Sequence, residues 1–511
     1  MSLHKKRYYY IILFFSIFLY AVVFSALQIL KYKSFFEFSW EMLAKQNNMI
    51  WNTAHGNLFY CSMNVFPYFD WHFEPIYLLI ACFYWFNPMI YTLFIFWPFI
   101  IALGSVPVFL LTKKIFNSLN IALLFSLTYL MFNPLHNLSI STIRPDLLAI
   151  TFLLFAFYYY YFNKFKMFLL FVFLSLFCKE DISFVIIMFG ILSIFQKRNK
   201  IWILTPMILG TLWFCGSVSF LRSVGYHDYF RDHTETKFFH GVEISEIGKH
   251  IFIYLIPFIK KIFLQGNITS IMKYFNPPLM YICLFSPSIL MLGFPAIVHI
   301  LLASNDPYLS GASIQHIAFF IPFMFLATIF SFKKIFLHIE KTKLSEINKK
   351  RIKYLLIFIF VVSVMLSNFI NNSLILPGYR GGEDVKDKRF LNIDNIYDPK
   401  IYTMDEVDKK AWKFISIIPD GVSVSASGDL CPALSSRGEI YEFGTVPEIN
   451  DMSGHENEVD YILIRKKDIY HGYDFNEVRN DVAFNKLYQL VNKENYQVIK
   501  EDNDFILLKR K

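Results

Sequence analysis

The residues of this chain best equipped for chemistry lie in four short stretches. The richest is 31–74, KYKSFFEFSWEMLAKQNNMIWNTAHGNLFYCSMNVFPYFDWHFE, where Glu37, Glu41, Asp70 and Glu74 stand with His55 and His72 among many aromatic rings. The second is Arg144-Pro145-Asp146, and the third is Lys179-Glu180-Asp181, directly after Cys178. The fourth sets Asp306-Pro307-Tyr308 close before His316. Carboxylates and histidines can move protons, while Lys and Arg can hold an anionic group such as phosphate. Each stretch also has a plainer reading. Asp146 could simply cap a helix, since an acid is favourable at a helix N-terminus. Lys179–Asp181 could be a wet turn between two helices, and His316 a structural hydrogen-bonding group.

Other chemistries have no support in the residues. HExxH and GxSxG are absent, so zinc-protease and serine-hydrolase sites are not expected. No GxGxxG or P-loop marks a nucleotide site. The one DxD, Asp502–Asp504, falls between two strand-like runs and reads as a polar turn. Six cysteines are scattered without a CxxC, which argues against a disulfide framework or a zinc site.

The elements that must position these residues are set by composition. Of the 511 residues 55% are hydrophobic and only 17% charged, where soluble chains average about 25% charged. A spanning helix needs roughly 20 mostly apolar residues, and the chain has many such runs. The reading is an α-helical polytopic membrane protein with about eleven spans, at 8–30, 88–112, 118–132, 146–162, 167–178, 182–196, 201–221, 250–264, 278–303, 316–332 and 354–376. The first run lacks a cleavage site and reads as an uncleaved helix. Residues 75–86 form a short apolar helix, expected on the membrane surface or re-entrant as part of a first outer loop, 31–87.

Charge then orients the spans. Up to residue 376 there are 30 Lys and Arg against 15 Asp and Glu, and beyond it 19 against 25. With the N-terminus cytoplasmic, 21 of the 30 basic residues fall inside, as the positive-inside rule requires. Thirteen of the 15 acids then fall on or near the outer face, among them all four stretches above. The basic residues sit in short clusters between apolar runs, which excludes a nucleic-acid footprint. The protein is therefore expected in the plasma membrane. After a linker at 377–390, residues 391–511 alternate like strands and helices, giving a small extracytoplasmic α/β domain: strands near 422–427, 439–443 and 461–465, helices near 404–418 and 475–491, and a closing hairpin at 496–508.

The order of these features resembles a family of uncharacterised bacterial and archaeal integral membrane proteins, a domain of unknown function related to GT-C glycosyltransferases that use polyprenyl-phosphate sugars. The resemblance is carried by WNTAHGN (51–57), His72-Phe-Glu-Pro75, Arg144-Pro-Asp-Leu-Leu-Ala149, Lys179-Glu-Asp181, His316 before a Pro-containing helix, and IPDGVSVSAS and DYILI in the tail. Where the family usually has an acid nine residues before the first-loop Trp, this chain has Met42 with Glu41 beside it, and Arg144 stands where the family commonly has His. The resemblance implies a GT-C-like membrane domain over 1–376. For such a transferase, the placement of charges makes Glu41 first, then Asp146 or Glu180, the expected catalytic carboxylates, and His72, Arg144, Lys179, Asp181 and His316 the expected substrate-binding residues. A polyprenyl-phosphate sugar would enter from the membrane lipid, and a divalent cation could bridge its phosphate to the carboxylates. The alternative is a non-catalytic membrane protein that binds or transports a lipid-linked or polar solute.

Overall fold

The computed structural model describes residues 3–36, 40–64, 72–141, 143–224, 279–302, 318–370, 399–443, 459–466 and 495–511. Glu37, Asp70, Asp306 and His316, the span at 250–264, the linker at 377–390 and the helix near 475–491 lie outside these residues. The chain divides into two compact units. One comprises Met1–Ala26, His72–Ile76 and Ile95–Asp398, the other Leu27–Trp71, Tyr77–Phe94 and Pro399–Lys511.

The first unit is helical. The opening helix α1 (Leu3–Lys33) begins in it, and α4 (Tyr91–Leu103) runs into it, followed by α5 (Ser105–Phe116), α6 (Leu119–Leu130), α7 (Asn133–Ser141), α8 (Pro145–Tyr161), α9 (Phe165–Leu176), α10 (Ile182–Phe195) and α11 (Lys200–Ser223). Further on come α12 (Phe294–Leu302), α13 (Ile321–Glu340) and α14 (Glu346–Ile370). Among the described residues five stretches are long and apolar enough to cross a bilayer: Lys6–Lys33, Tyr91–Phe116, Lys200–Ser223, Ile321–Glu340 and Glu346–Asn368. The pair α6 and α7, bent by 42°, is apolar and long enough only when joined, as one broken span or a re-entrant loop. The runs expected at 146–162, 167–178 and 182–196 are helices of 10–17 residues. The protein is thus a helical membrane protein.

Local chemistry explains the breaks. Between α4 and α5 the Tyr129 hydroxyl donates to the Ile101 carbonyl at 3.1 Å, and an added Cβ on Gly104 would meet that hydroxyl oxygen at 2.2 Å. Only glycine lets the tyrosine approach so closely. The bend between α6 and α7 frees carbonyls in a buried place, and the Asn368 amide donates to the Met131 carbonyl at 2.8 Å. Such side-chain substitution is what a broken span requires.

The second unit carries the sheet. Its strands are β1 (Val424–Ala426), β2 (Ile440–Glu442), β3 (Tyr461–Arg465), β4 (Tyr496–Glu501) and β5 (Phe505–Arg510), in the order β2-β1-β3-β5-β4. β1 runs parallel to β2 and β3, and β5 pairs antiparallel with β3 and β4. All five residues of β3 are buried, as a central strand covered on both faces should be. The expected hairpin is present, and Asp502 makes its turn by accepting from the Asp504 and Phe505 amides, both at 2.8 Å. Helix α15 (Glu406–Ile415) starts with a capping box between Asp405 and Asp408 and buries Ala411 and Phe414 against the sheet.

The first loop belongs to this same unit. Helix α2 (Trp40–Ala54) buries Ala44 in the core that holds Val424, Leu430, Leu463 and Leu507. Its polar face is used as well. Asn47 donates to the Ser435 hydroxyl at 2.7 Å, Asn48 to the Arg437 carbonyl at 2.7 Å, and Asn52 to the Gly438 carbonyl at 3.1 Å. The Asn48 carbonyl oxygen in turn accepts from the Ser62 amide at 3.0 Å. Asn48 and Asn52 thus satisfy the backbone that leads into β2, and Asn47 a side chain just before it. The short helix α3 (Tyr77–Tyr84) joins them through the Tyr84 hydroxyl, 2.6 Å from Asn47 Oδ1. Replacing Asn48 with Ala strands a buried amide and a buried carbonyl, each costing about 1–3 kcal/mol. The expected outcome is a loss of about 2–6 kcal/mol by thermal unfolding, and an unchanged midpoint would show that water replaces the side chain.

Candidate functional site

The first unit brings the second and third stretches together with the end of the first. Residues 72–76 are not helical, and they lie along the turn between α9 and α10. Glu180, with a side chain 0% exposed, receives His72 Nδ1 on one oxygen and the Phe73 amide on the other, both at 2.9 Å. A carboxylate can only accept, so Nδ1 is the protonated nitrogen of His72. Four residues along the strip from His72, the Ile76 amide donates to the Phe177 carbonyl at 2.9 Å. These bonds clamp Glu74 between two fixed points.

Asp146 reaches the same place from the start of α8. Pro145 opens that helix after an extended Arg144, which suits proline at a first helical position. The Arg144 carbonyl accepts from the Trp97 indole at 2.8 Å. Arg144 Nε stands 3.5 Å from Asp146 Oδ2. Asp146 is 1% exposed, yet neither of its oxygens accepts a hydrogen bond from the described residues. Lys179, buried, holds Asp181 Oδ2 at 3.3 Å from its ammonium. Asp181 occupies the cap position of α10 but makes no side-chain cap bond there. Its carboxylate is instead paired with the lysine.

Glu74 belongs to the first stretch but not to the residues expected to catalyse or to bind substrate. It is 4% exposed, and its carboxyl is pushed up to about 8, chiefly by burial. Arg144 pulls it down, Asp146 and Glu180 push it further up, and Lys179 lowers it. The sequence holds one signal for this. Residues 46–112 contain no Lys or Arg, so an acid inside that stretch has no neighbouring cation and must find its environment far along the chain.

The remaining expected residues fall elsewhere. Glu41 lies in the second unit, in the first turn of α2, exposed and 2.6 Å from Lys45 of the next turn. His55 is exposed, stacked on Trp51 at 3.7 Å between ring centroids. For the divalent cation, no three His, Cys, Asp or Glu side chains are grouped as possible ligands among the described residues.

What the fold and this cluster define is a helical membrane protein with a buried charged centre where apolar helices end. The chain belongs to the family described as "Predicted membrane protein (DUF2079)", which matches residues 43–507. It is also similar to the solved structure of ArnT from Cupriavidus metallidurans bound to undecaprenyl phosphate, with 8% identity and a TM-score of 0.49 over 95% of this chain and 97% of that one. A comparison with curated proteins returns no match.

Proposed function

We propose that this protein is a membrane glycosyltransferase of the GT-C kind, which takes a sugar from a lipid-phosphate carrier at the outer face of the plasma membrane. One observation supports the reading above others. Two cations, Lys179 buried and Arg144 largely covered, stand next to carboxylates where apolar helices end. Ionisable groups at such depth are expensive and mark ligand sites, and a cation there can hold the phosphate of a carrier whose tail stays in lipid.

In the reaction, an acceptor hydroxyl attacks the anomeric carbon, the bond from that carbon to the phosphate oxygen breaks, and the lipid phosphate leaves. The hydroxyl proton passes to a carboxylate. Of the three carboxylates expected in that role, Glu180 has both oxygens engaged by His72 and Phe73. Glu41 is exposed on α2 beside Lys45. Asp146 is buried without a hydrogen bond from the described residues, so the proposal makes it the base. Glu180 then positions the His72–Ile76 strip, and Arg144 and Lys179 hold the phosphate.

The test uses full-length protein in nanodiscs with a polyprenyl phosphate and its sugar-loaded forms. Lys179→Met and Arg144→Met should each weaken polyprenyl-phosphate binding roughly 10- to 150-fold, the worth of a charge-assisted hydrogen bond. Asp146→Asn should stop turnover while binding persists. Binding without turnover by the unaltered protein would favour a non-catalytic carrier-binding protein. No binding at all would overturn the proposal.

A further inference from the structure

The cluster contains four carboxylates and two permanent cations, and three of the carboxylates have a partner. Asp146 has Arg144 at 3.5 Å, Asp181 has Lys179 at 3.3 Å, and Glu180 has His72 at 2.9 Å. Glu74 has neither an ion pair nor a hydrogen bond from the described residues, although it is 4% exposed and clamped by the bonds at Phe73 and Ile76. A buried acid without a donor cannot keep its charge cheaply and takes a proton instead.

We infer that Glu74 carries a proton in the resting site, and that this proton lets the cluster accept an anionic phosphate headgroup by donating a hydrogen bond to a phosphate oxygen. The inference rests on the phosphate-binding reading above. A protonated Glu74 adds no charge to the three pairs. An ionised Glu74 would face the incoming phosphate with one more like charge. The groups around Glu74 are Arg144 and Asp146 from the start of α8, Lys179, Glu180 and Cys178 from the turn before α10, and His72 on its own strip. Its carboxyl, held near 8 mainly by burial, is largely protonated at neutral pH.

The sign of the pH dependence follows. Glu74 loses its proton as pH rises through about 8, so phosphate binding weakens in the alkaline range. Between about pH 7 and about pH 9 the protonated fraction falls roughly tenfold, and binding of a polyprenyl phosphate in nanodiscs should weaken by that factor. Glu74→Gln keeps a neutral donor that cannot ionise, so its binding should lose this alkaline weakening. Inorganic phosphate, run alongside, separates a headgroup site from one that also needs the lipid. A Glu74→Gln profile that falls as steeply as the unaltered one would overturn the inference while leaving phosphate binding standing. Infrared spectroscopy of the ligand-free protein tests it independently of any ligand. A buried protonated-carboxyl band should be present at neutral pH and missing from Glu74→Gln, and finding no such difference would also overturn it.

Discussion

Replacing Lys179 with Met should destabilise the first unit by about 3–5 kcal/mol, the cost of removing one partner of a buried ion pair. The side chain is 3% exposed and its ammonium stands 3.3 Å from Asp181 Oδ2. Methionine fills much the same volume, so packing is nearly kept and the loss is electrostatic. What remains is an Asp181 carboxylate that has lost the lysine's charge beside Glu180, in a partly covered place where water screens the repulsion only in part. The measurement is thermal unfolding in nanodiscs, compared with the double variant Lys179→Met/Asp181→Asn, which removes both charges. The double variant should recover most of the loss, because replacing a whole buried pair is often nearly neutral. If the single and double variants unfold alike, Lys179 acts through packing and the electrostatic account fails.

The second large effect is expected in the sheet-bearing unit. Arg465, the last residue of β3, places Nη2 2.9 Å from Asp429 Oδ2, with side chains 7% and 9% exposed. Its guanidinium also faces the rings of Phe35 and Phe505, 5.9 and 5.3 Å from their centroids. The Arg465 amide donates to the Ser427 hydroxyl at 2.9 Å, fixing the end of β3 beside the turn that follows β1. Asp429→Leu leaves a guanidinium that cannot deprotonate among apolar rings, and should cost about 3–5 kcal/mol. Asp429→Leu/Arg465→Met should return to within about 1–2 kcal/mol of the unaltered protein. A single substitution that costs under about 1 kcal/mol would mean that the aromatic faces alone satisfy the arginine.

The same turn shows how closely the first loop and the tail are built into one another. An added Cβ on Gly428 would meet the Trp40 indole at 2.4 Å, and the indole of Trp412 donates to the Lys33 carbonyl at 2.8 Å. Both pairs lie within the second unit. The fold of the tail therefore includes residues from the chain's first fifty, and a stability measurement on the tail should be made with them present.

The sequence by itself determined the class of this protein and most of its local elements. Uncharged apolar runs can be stable only in lipid or a deep core, so their length alone gave spanning helices such as Lys6–Lys33 and Ile321–Glu340. The apolar run at 461–464 placed β3 at 461–465, where it is found, because a strand covered on both faces needs no polar alternation. Lys179-Glu180-Asp181 stood out for the same local reason, three charges between apolar runs. Tertiary structure decided everything that depends on a distant partner. The asparagines of α2 look like a solvated face until residues 435–438 are laid against them. Glu41 and Glu74 look alike in sequence, yet one is exposed beside Lys45 and the other is buried among residues 144–180. Periodicity records which face of an element is apolar. It does not record which residue 70 or more positions away will supply, or withhold, the countercharge, and that difference sets the protonation of Glu74.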